Sequence, residues 1–161
     1  MPVKGEVFVT NSGGNTVSVI SDSSNTVLET VTVGSNPVGV CYDSGTNQVF
    51  VVDVGANEVS VISDSSNAVT ATIQVGDYAV GVAYDSAKNE VFVANANDDS
   101  RSVISDSNDA VIATVTLPTG TNPYGLAYDS SLGEIFTANH ANNTISAVSD
   151  RDQRHRWNRN C

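Results

Sequence analysis

Val-Ser-Val-Ile-Ser-Asp-Ser-Ser-Asn runs from Val17 to Asn25 and returns, letter for letter, from Val59 to Asn67. An altered copy, Ser-Val-Ile-Ser-Asp-Ser-Asn, spans Ser102 to Asn108, and a shorter one, Ser-Ala-Val-Ser-Asp, ends at Asp150. The aspartates that mark the copies, Asp22, Asp64, Asp106 and Asp150, stand 42, 42 and 44 residues apart. A second series, Tyr42-Asp43, Tyr84-Asp85 and Tyr128-Asp129, keeps the intervals 42 and 44. The two extra residues therefore fall between Asp106 and Asp129, at Pro118-Thr119. A period of this size, built from strand-like units, predicts a propeller or another repeat array.

Each unit reads as four short strands. The first is Gly-Val-Cys-Tyr, Gly-Val-Ala-Tyr or Gly-Leu-Ala-Tyr, at Gly39, Gly81 and Gly125. The second covers Val7 to Val9, Val49 to Val51, Val91 to Val93 and Ile135 to Thr137; the third begins at Val17 or Val59, and the fourth at Val27. All are rich in β-branched and aromatic residues and are separated by Gly, Asn, Asp and Ser clusters. Several apolar runs are continuous rather than alternating, as expected of sheets covered on both faces. The fold class is all-β: a partial β-propeller of four-stranded antiparallel blades, with about 14 strands in two complete and two incomplete blades. The repeats fill residues 1–150, divided 5–36 (partial blade), 37–78, 79–122 and 123–150 (partial blade).

Phe8-Val9-Thr10-Asn11 is close to the Tyr-Val-Thr-Asn tetrapeptide of the YVTN β-propeller repeats. Asn15 to Ile20 (Asn-Thr-Val-Ser-Val-Ile) and Val33 to Pro37 (Val-Gly-Ser-Asn-Pro) resemble that family's pattern too. The likeness recurs four times between Gly5 and Asp150, drifting to Phe50-Val51-Val52-Asp53, Phe92-Val93-Ala94-Asn95 and Phe136-Thr137-Ala138-Asn139. The resemblance implies four-stranded blades in surface-layer-type, secreted or periplasmic proteins of archaea and bacteria. It implies no catalytic motif.

The chain enters the repeat at strand two of one unit and leaves it after strand three of another. That reads as an arc cut from a longer propeller, or as a four-bladed ring with two thin blades. An open arc leaves blade faces exposed, which favours self-association or contact with other proteins. Residues 151–161 form a basic, off-pattern tail with four of the seven basic residues and the only Trp. Either the tail is genuine or it follows a one-base frameshift. Freely chosen codons in a shifted frame restore Asn and Ala where the repeat has Asn67 and Ala68. As written, the tail is expected not to form the fourth strand of the last blade, since ordering it costs about 1–2 kcal/mol of backbone entropy per residue.

Charge narrows the partners. The net charge is −11, and through Asp150 seventeen acidic residues face three basic ones. Such a surface repels nucleic acid and anionic membranes. No run of 18 apolar residues is present, so no transmembrane helix is expected. Met-Pro-Val-Lys-Gly-Glu lacks the apolar segment of a signal peptide, so the chain taken literally reads as cytoplasmic, whereas the family it resembles is extracellular.

The inventory of reactive groups is thin. Cys41 takes the small inner-strand place of Ala83 and Ala127, and Cys161 is terminal; a bond between them is not excluded. No zinc spacing, phosphate loop, EF-hand or assembled Ser-His-Asp set is present. The repeated aspartates head Ser/Asn/Gly turns, where a short carboxylate accepts backbone N–H bonds. Variable residues concentrate in loops after strand two and before strand one, which emerge at one end of a propeller around its channel. The candidate ligand face there is Asn11, Asp53, Asn95 and Asn139, with His140, Asp77 and Tyr78. No catalytic residue, cofactor or metal site is expected. The leading expectation is a non-enzymatic scaffold of the cell surface or envelope. The alternatives are a propeller enzyme of lactonase, lyase or quinoprotein type, or a gene fragment without independent function.

Overall fold

A computed structural model describes residues 5–149 with their side chains and residues 155–160 as backbone. Strands β1 (Glu6–Asn11), β2 (Thr16–Ser21) and β3 (Val27–Thr32) form a three-stranded sheet. Strands β4 (Pro37–Asp43), β5 (Gln48–Asp53), β6 (Glu58–Ser63) and β7 (Ala68–Gln74) form the second sheet. The third holds β8 (Ala79–Asp85), β9 (Glu90–Asn95), β10 (Ser100–Ser105) and β11 (Ala110–Thr116). The fourth holds β12 (Pro123–Asp129), β13 (Glu134–Asn139), β14 (Thr144–Ser149) and β15 (His155–Asn160). Each sheet is an antiparallel meander in chain order, and β4, β8 and β12 lie side by side as the inner strands of consecutive blades. Apart from strands, the described residues contain one 3-10 turn, Ser12–Gly14.

The turns explain the period. Left-handed backbone recurs at Asn15, Asn57, Asp99 and Asn143, at Asn25, Asn67 and Asp109, and at Asn36, Tyr78 and Asn122. Asn, Asp and Gly tolerate that conformation where most side chains do not. These residues also join one blade to the next. The Asn36 N–H donates to Asn15 Oδ1 at 2.9 Å, Tyr78 N–H to Asn57 Oδ1 at 2.9 Å, and Asn122 N–H to Asp99 Oδ1 at 2.8 Å. The carbonyls of Asn36, Tyr78 and Asn122 in turn accept from Val54, Ala96 and His140 N–H.

The core lies between blades. Phe50, Val52, Val59 and Val61 of the second blade pack with Val91, Val93 and Ile104 of the third. Val17, Val19 and Val31 of the first pack with Val49, Val51 and Ile62 of the second. In the second and third blades the second and third strands are thus covered on both faces, whereas the fourth strands β7 and β11 are mostly solvent-facing. The continuous apolar runs in the sequence have this cause.

The last blade differs from the sequence-based expectation. Backbone of β15 pairs with β14, so among the described residues the fourth sheet has four strands and the first has three. The register is that of the repeat: a bulge between Ala147 and Val148 matches those at Val61/Ile62 and Val103/Ile104. The edge of β14 offers main-chain donors and acceptors that any sequence can satisfy, so pairing does not require the apolar pattern. Asp150, residues 151–154 and Cys161 lie outside the described residues. The expectations for the fourth marker aspartate and for a Cys41–Cys161 bond therefore fall there as well.

Candidate functional site

The ends of second strands and starts of inner strands meet at one end of the blades, where Asp53 pairs with Pro37, Asn95 with Ala79 and Asn139 with Pro123. Here the recurrent Asn side chains are engaged within their own blades. Asn95 Nδ2 donates to Ser100 Oγ and Ser102 Oγ, both at 3.0 Å. Asn139 Nδ2 donates to Thr144 Oγ1 at 2.9 Å and Ser146 Oγ at 2.8 Å, and Asn11 Nδ2 reaches Thr16 and Ser18. Asp53 cannot donate, and the polarity reverses: Ser60 Oγ donates to Asp53 Oδ2 at 2.6 Å. Burial raises the Asp53 pKa, opposed by the Ser60 hydroxyl. Asp53, Asn95 and Asn139 are buried, and the carboxylate of exposed Asp77 is held by Asn57 and Asn97 amides at 3.0 Å each. Those amides, Asn97 first, keep Asp77 below the usual carboxylate range.

Tyr78 and His140 are brought into one row by a residue that sequence reasoning missed. Tyr124, beside the start of β12, lies with its ring centroid 6.5 Å from Tyr78 and 5.1 Å from His140. Its position follows Pro123, as Val38 follows Pro37; the aromatic substitution was the only signal. Tyr78 is also in a left-handed conformation, φ 53°, that its counterparts Asn36 and Asn122 adopt at lower cost. In a Tyr124→Ala background, where the ring pair is gone, Tyr78→Asn should stabilise the protein by about 1 kcal/mol in urea unfolding. No gain would mean that the tyrosine is unstrained.

At the opposite end, the repeated acids cap turns as expected, but several are buried in the blade seams rather than lying on the surface. Asp43 Oδ1 accepts from Gly45 N–H at 2.6 Å, Asp85 Oδ1 from Ala87 N–H at 2.9 Å, and Asp129 Oδ1 from Ser131 N–H at 2.9 Å. Asp43 and Asp85 are fully buried, and Asp64 and Asp106 nearly so. Burial, then Asp43, pushes Asp106 up to about 6, with Tyr84 donating to it and Asp109 adding repulsion. Burial, then Asp43, pushes the Cys41 thiol up to about 12.

A raised carboxyl pKa favours the folded state in its protonated form. Asp106 therefore contributes stability below its unfolded pKa of about 3.9, and that contribution is lost as pH rises through about 6. Asp106→Asn should match the parent near pH 4 and exceed it by about 1 kcal/mol at about pH 7, allowing for solvent screening at the rim of the seam. A constant difference across that range would remove the assignment.

An exposed apolar surface lies on the first blade. Val7 is 50% and Val9 41% exposed, whereas their counterparts Val49, Val51, Val91 and Val93 are covered by the preceding blade. Among the described residues, no strand other than β2 pairs with β1. Beside β1 is a cavity of about 490 Å³ lined by Val7, Phe8, Val40, Tyr42, Asp22 and Asp64 among others. Among the described residues, no three His, Cys, Asp or Glu side chains are grouped to hold a metal, and no helix is long and apolar enough to cross a membrane.

Solved structures share this architecture. Hydrazine synthase of Kuenenia stuttgartiensis superposes with a TM-score of 0.89 at 16% identity, covering 98% of this chain and 46% of that one. A streptogramin B lyase gives 0.83 at 15% identity, covering 98% and 51%. The virginiamycin B lyase of Staphylococcus aureus gives 0.81 at 15% identity, covering 96% and 52%. At this identity the likeness shows the fold alone, a β-propeller, and the chain spans about half the length of these structures. No protein-family model and no curated protein sequence matches the chain.

Proposed function

We propose that the protein is a non-enzymatic β-propeller scaffold that works through protein contacts, by self-association or by binding other chains. The observation that supports this reading is the apolar surface of the first blade, where Val7 and Val9 are exposed beside the apolar lining of a cavity. Apolar surface of this kind gains free energy when covered, about 25 cal/mol per Å². The channel end offers less. The amide nitrogens of Asn95 and Asn139 are engaged within their blades while their Oδ1 atoms have no partner among the described residues, and hydrolytic or lyase chemistry needs several charged groups converging on one point. The acidic surface disfavours nucleic acid and anionic membranes as partners. The YVTN-like repeat adds a cell-surface or envelope setting to this reading.

A second reading rests on the Tyr78–Tyr124–His140 row, which would suit a ligand-binding propeller enzyme. Sedimentation velocity across a concentration series separates the two. The scaffold reading expects concentration-dependent association that Val7→Lys/Val9→Lys weakens. Turnover of a lactone lost with His140→Ala, or micromolar Ca²⁺, Mg²⁺ or Zn²⁺ binding abolished by Asp53→Asn, would replace it with the enzyme.

A further inference from the structure

We infer that the rings of Tyr78, Tyr124 and His140, at the channel end of the third and fourth blades, bind the cationic group of an organic ligand, an ammonium or a guanidinium. The inference needs no catalysis, and it goes beyond the scaffold reading without resting on it. Every residue it uses to build the site lies between Asn57 and His140, inside blades two to four.

The repeat supplies the first argument. Three of the five tyrosines, Tyr42, Tyr84 and Tyr128, recur at one place in consecutive copies, and the four phenylalanines recur at another. Between Gly5 and Ser149 the aromatic side chains that depart from the repeat are Tyr78, Tyr124 and His140. Other copies hold Asn36 and Asn122 in place of Tyr78, Val38 and Val80 in place of Tyr124, and Ser12, Val54 and Ala96 in place of His140. The three departures come from separate segments, yet they meet. Ring centroids are 6.5 Å and 5.1 Å apart, with planes tilted by 54° and 37°. Tyr78 and His140 are exposed, with Tyr124 half-buried between them. The left-handed backbone of Tyr78 costs stability, and such strain collects at functional sites.

The rings are also held in place. Asp98 Oδ2 accepts from Asp77 N–H at 2.6 Å and Asn57 Oδ1 from Tyr78 N–H at 2.9 Å, which fixes the segment carrying Tyr78. Asp99 accepts from Gly120 N–H at 2.7 Å and Asn122 N–H at 2.8 Å, which fixes the segment leading into Tyr124. A ligand therefore meets a surface already ordered, and little entropy is lost in shaping it.

Charge selects the ligand class. The amides of Asn97 and then Asn57 hold Asp77 below the usual carboxylate range, and the Asn122 and Gly120 N–H groups hold Asp99 below it. Both are ionised at neutral pH and flank the two tyrosines in sequence. Of the basic side chains described, Arg101 is fully buried against Thr137, and Lys88 stands in the Asp85 turn at the opposite end. Anions are repelled by such a field, and organic cations are attracted by it and by the electron-rich ring faces. The attraction extends to about 6 Å from a ring centroid, and the observed spacings leave positions within that reach of all three rings. A bare metal ion is a poorer match, since no three His, Cys, Asp or Glu side chains are grouped among the described residues.

The test titrates the full chain with choline and with its uncharged isostere, carbon in place of nitrogen, following the proton NMR signals of the three rings at neutral pH. Saturable millimolar binding of choline is expected, about tenfold weaker for the isostere. Tyr124→Val and His140→Ala install residues that other blades carry, so both variants should fold, and Tyr124→Val should weaken choline at least about fivefold. Acetylated lysine amide and arginine amide run in parallel. Tighter binding of either than of choline assigns the site to a basic partner chain, and the reverse order assigns it to free quaternary cations; both support the site. Equal binding of choline and its isostere would overturn it, as would tighter binding of a neutral disaccharide, or an affinity untouched by Tyr124→Val. Absence of choline binding by a chain with normal circular dichroism would overturn it too. In that case a chain that still self-associates leaves the scaffold reading standing. Choline binding by a chain that stays monomeric keeps the site and removes the scaffold.

Discussion

Arg101→Val is expected to stabilise the protein by about 2 kcal/mol, and Arg101→Val/Thr137→Val by about 3 kcal/mol, measured by urea unfolding. Arg101 on β10 is fully buried against the fourth blade. Its Nη1 donates to Thr137 Oγ1 at 2.9 Å, while Nε and Nη2 have no hydrogen-bond partner among the described residues. Burial lowers the guanidinium pKa to about 10, which is the same desolvation seen as a titration. A buried cation without a carboxylate is costly, and replacing buried ionic groups by apolar ones commonly stabilises by about 1–4 kcal/mol. The repeat supplies the control. Val17, Val59 and Ile145 stand where Arg101 does, and Val9, Val51 and Val93 stand where Thr137 does, so two polar residues entered one seam together. The single variant leaves the Thr137 hydroxyl buried without its donor, which is why the double variant should gain more. A loss of stability in both variants would show that the guanidinium is paired in the intact protein.

The same comparison of copies explains what the sequence could and could not reveal. Period, strand content and turn positions were legible because each depends on local chemistry: β-branched runs, and Asn, Asp or Gly wherever the backbone turns left-handed. The β-propeller architecture followed from the period. The pairing of β15 was not legible, since main-chain bonding to the edge of β14 leaves no apolar signature. The burial of the turn aspartates was also hidden. A carboxylate that heads a turn looks solvated in sequence, and only the approach of the neighbouring blade places Asp43 beside Asp106. For the candidate ligand face, the sequence located the right end of the blades but not the fate of its groups. Asn95 and Asn139 bond to hydroxyls five and seven residues on, a spacing that needs the β-hairpin to be recognised. Tyr124 entered the row of rings because the third blade's Tyr78 reaches across to it, a contact between units that no single repeat encodes.

Glycine at the inner-strand position offers the most direct test of blade packing, because three copies sit in two different surroundings. Gly81→Ala should cost about 3 kcal/mol, Gly39→Ala about 2 kcal/mol, and Gly125→Ala less than about 0.5 kcal/mol. None of the three has left-handed backbone, so the differences do not come from glycine's conformational freedom. They come from what lies beside the Cα. The added methyl at Gly81 meets the Tyr124 carbonyl, a backbone atom of the next inner strand that cannot rotate away. At Gly39 the Val80 carbonyl is 2.5 Å away and the Val52 and Val82 methyls 3.3 Å, which leaves slightly more room for side-chain adjustment. At Gly125 the nearest contact is the Ala138 Cβ at 3.9 Å, ordinary van der Waals distance. Among the described residues, no inner strand lies beyond that of the fourth blade. Three separate chevron or urea curves suffice, and the order of the three costs matters more than any one value. If Gly125→Ala is as damaging as Gly81→Ala, then a further strand covers that face in solution.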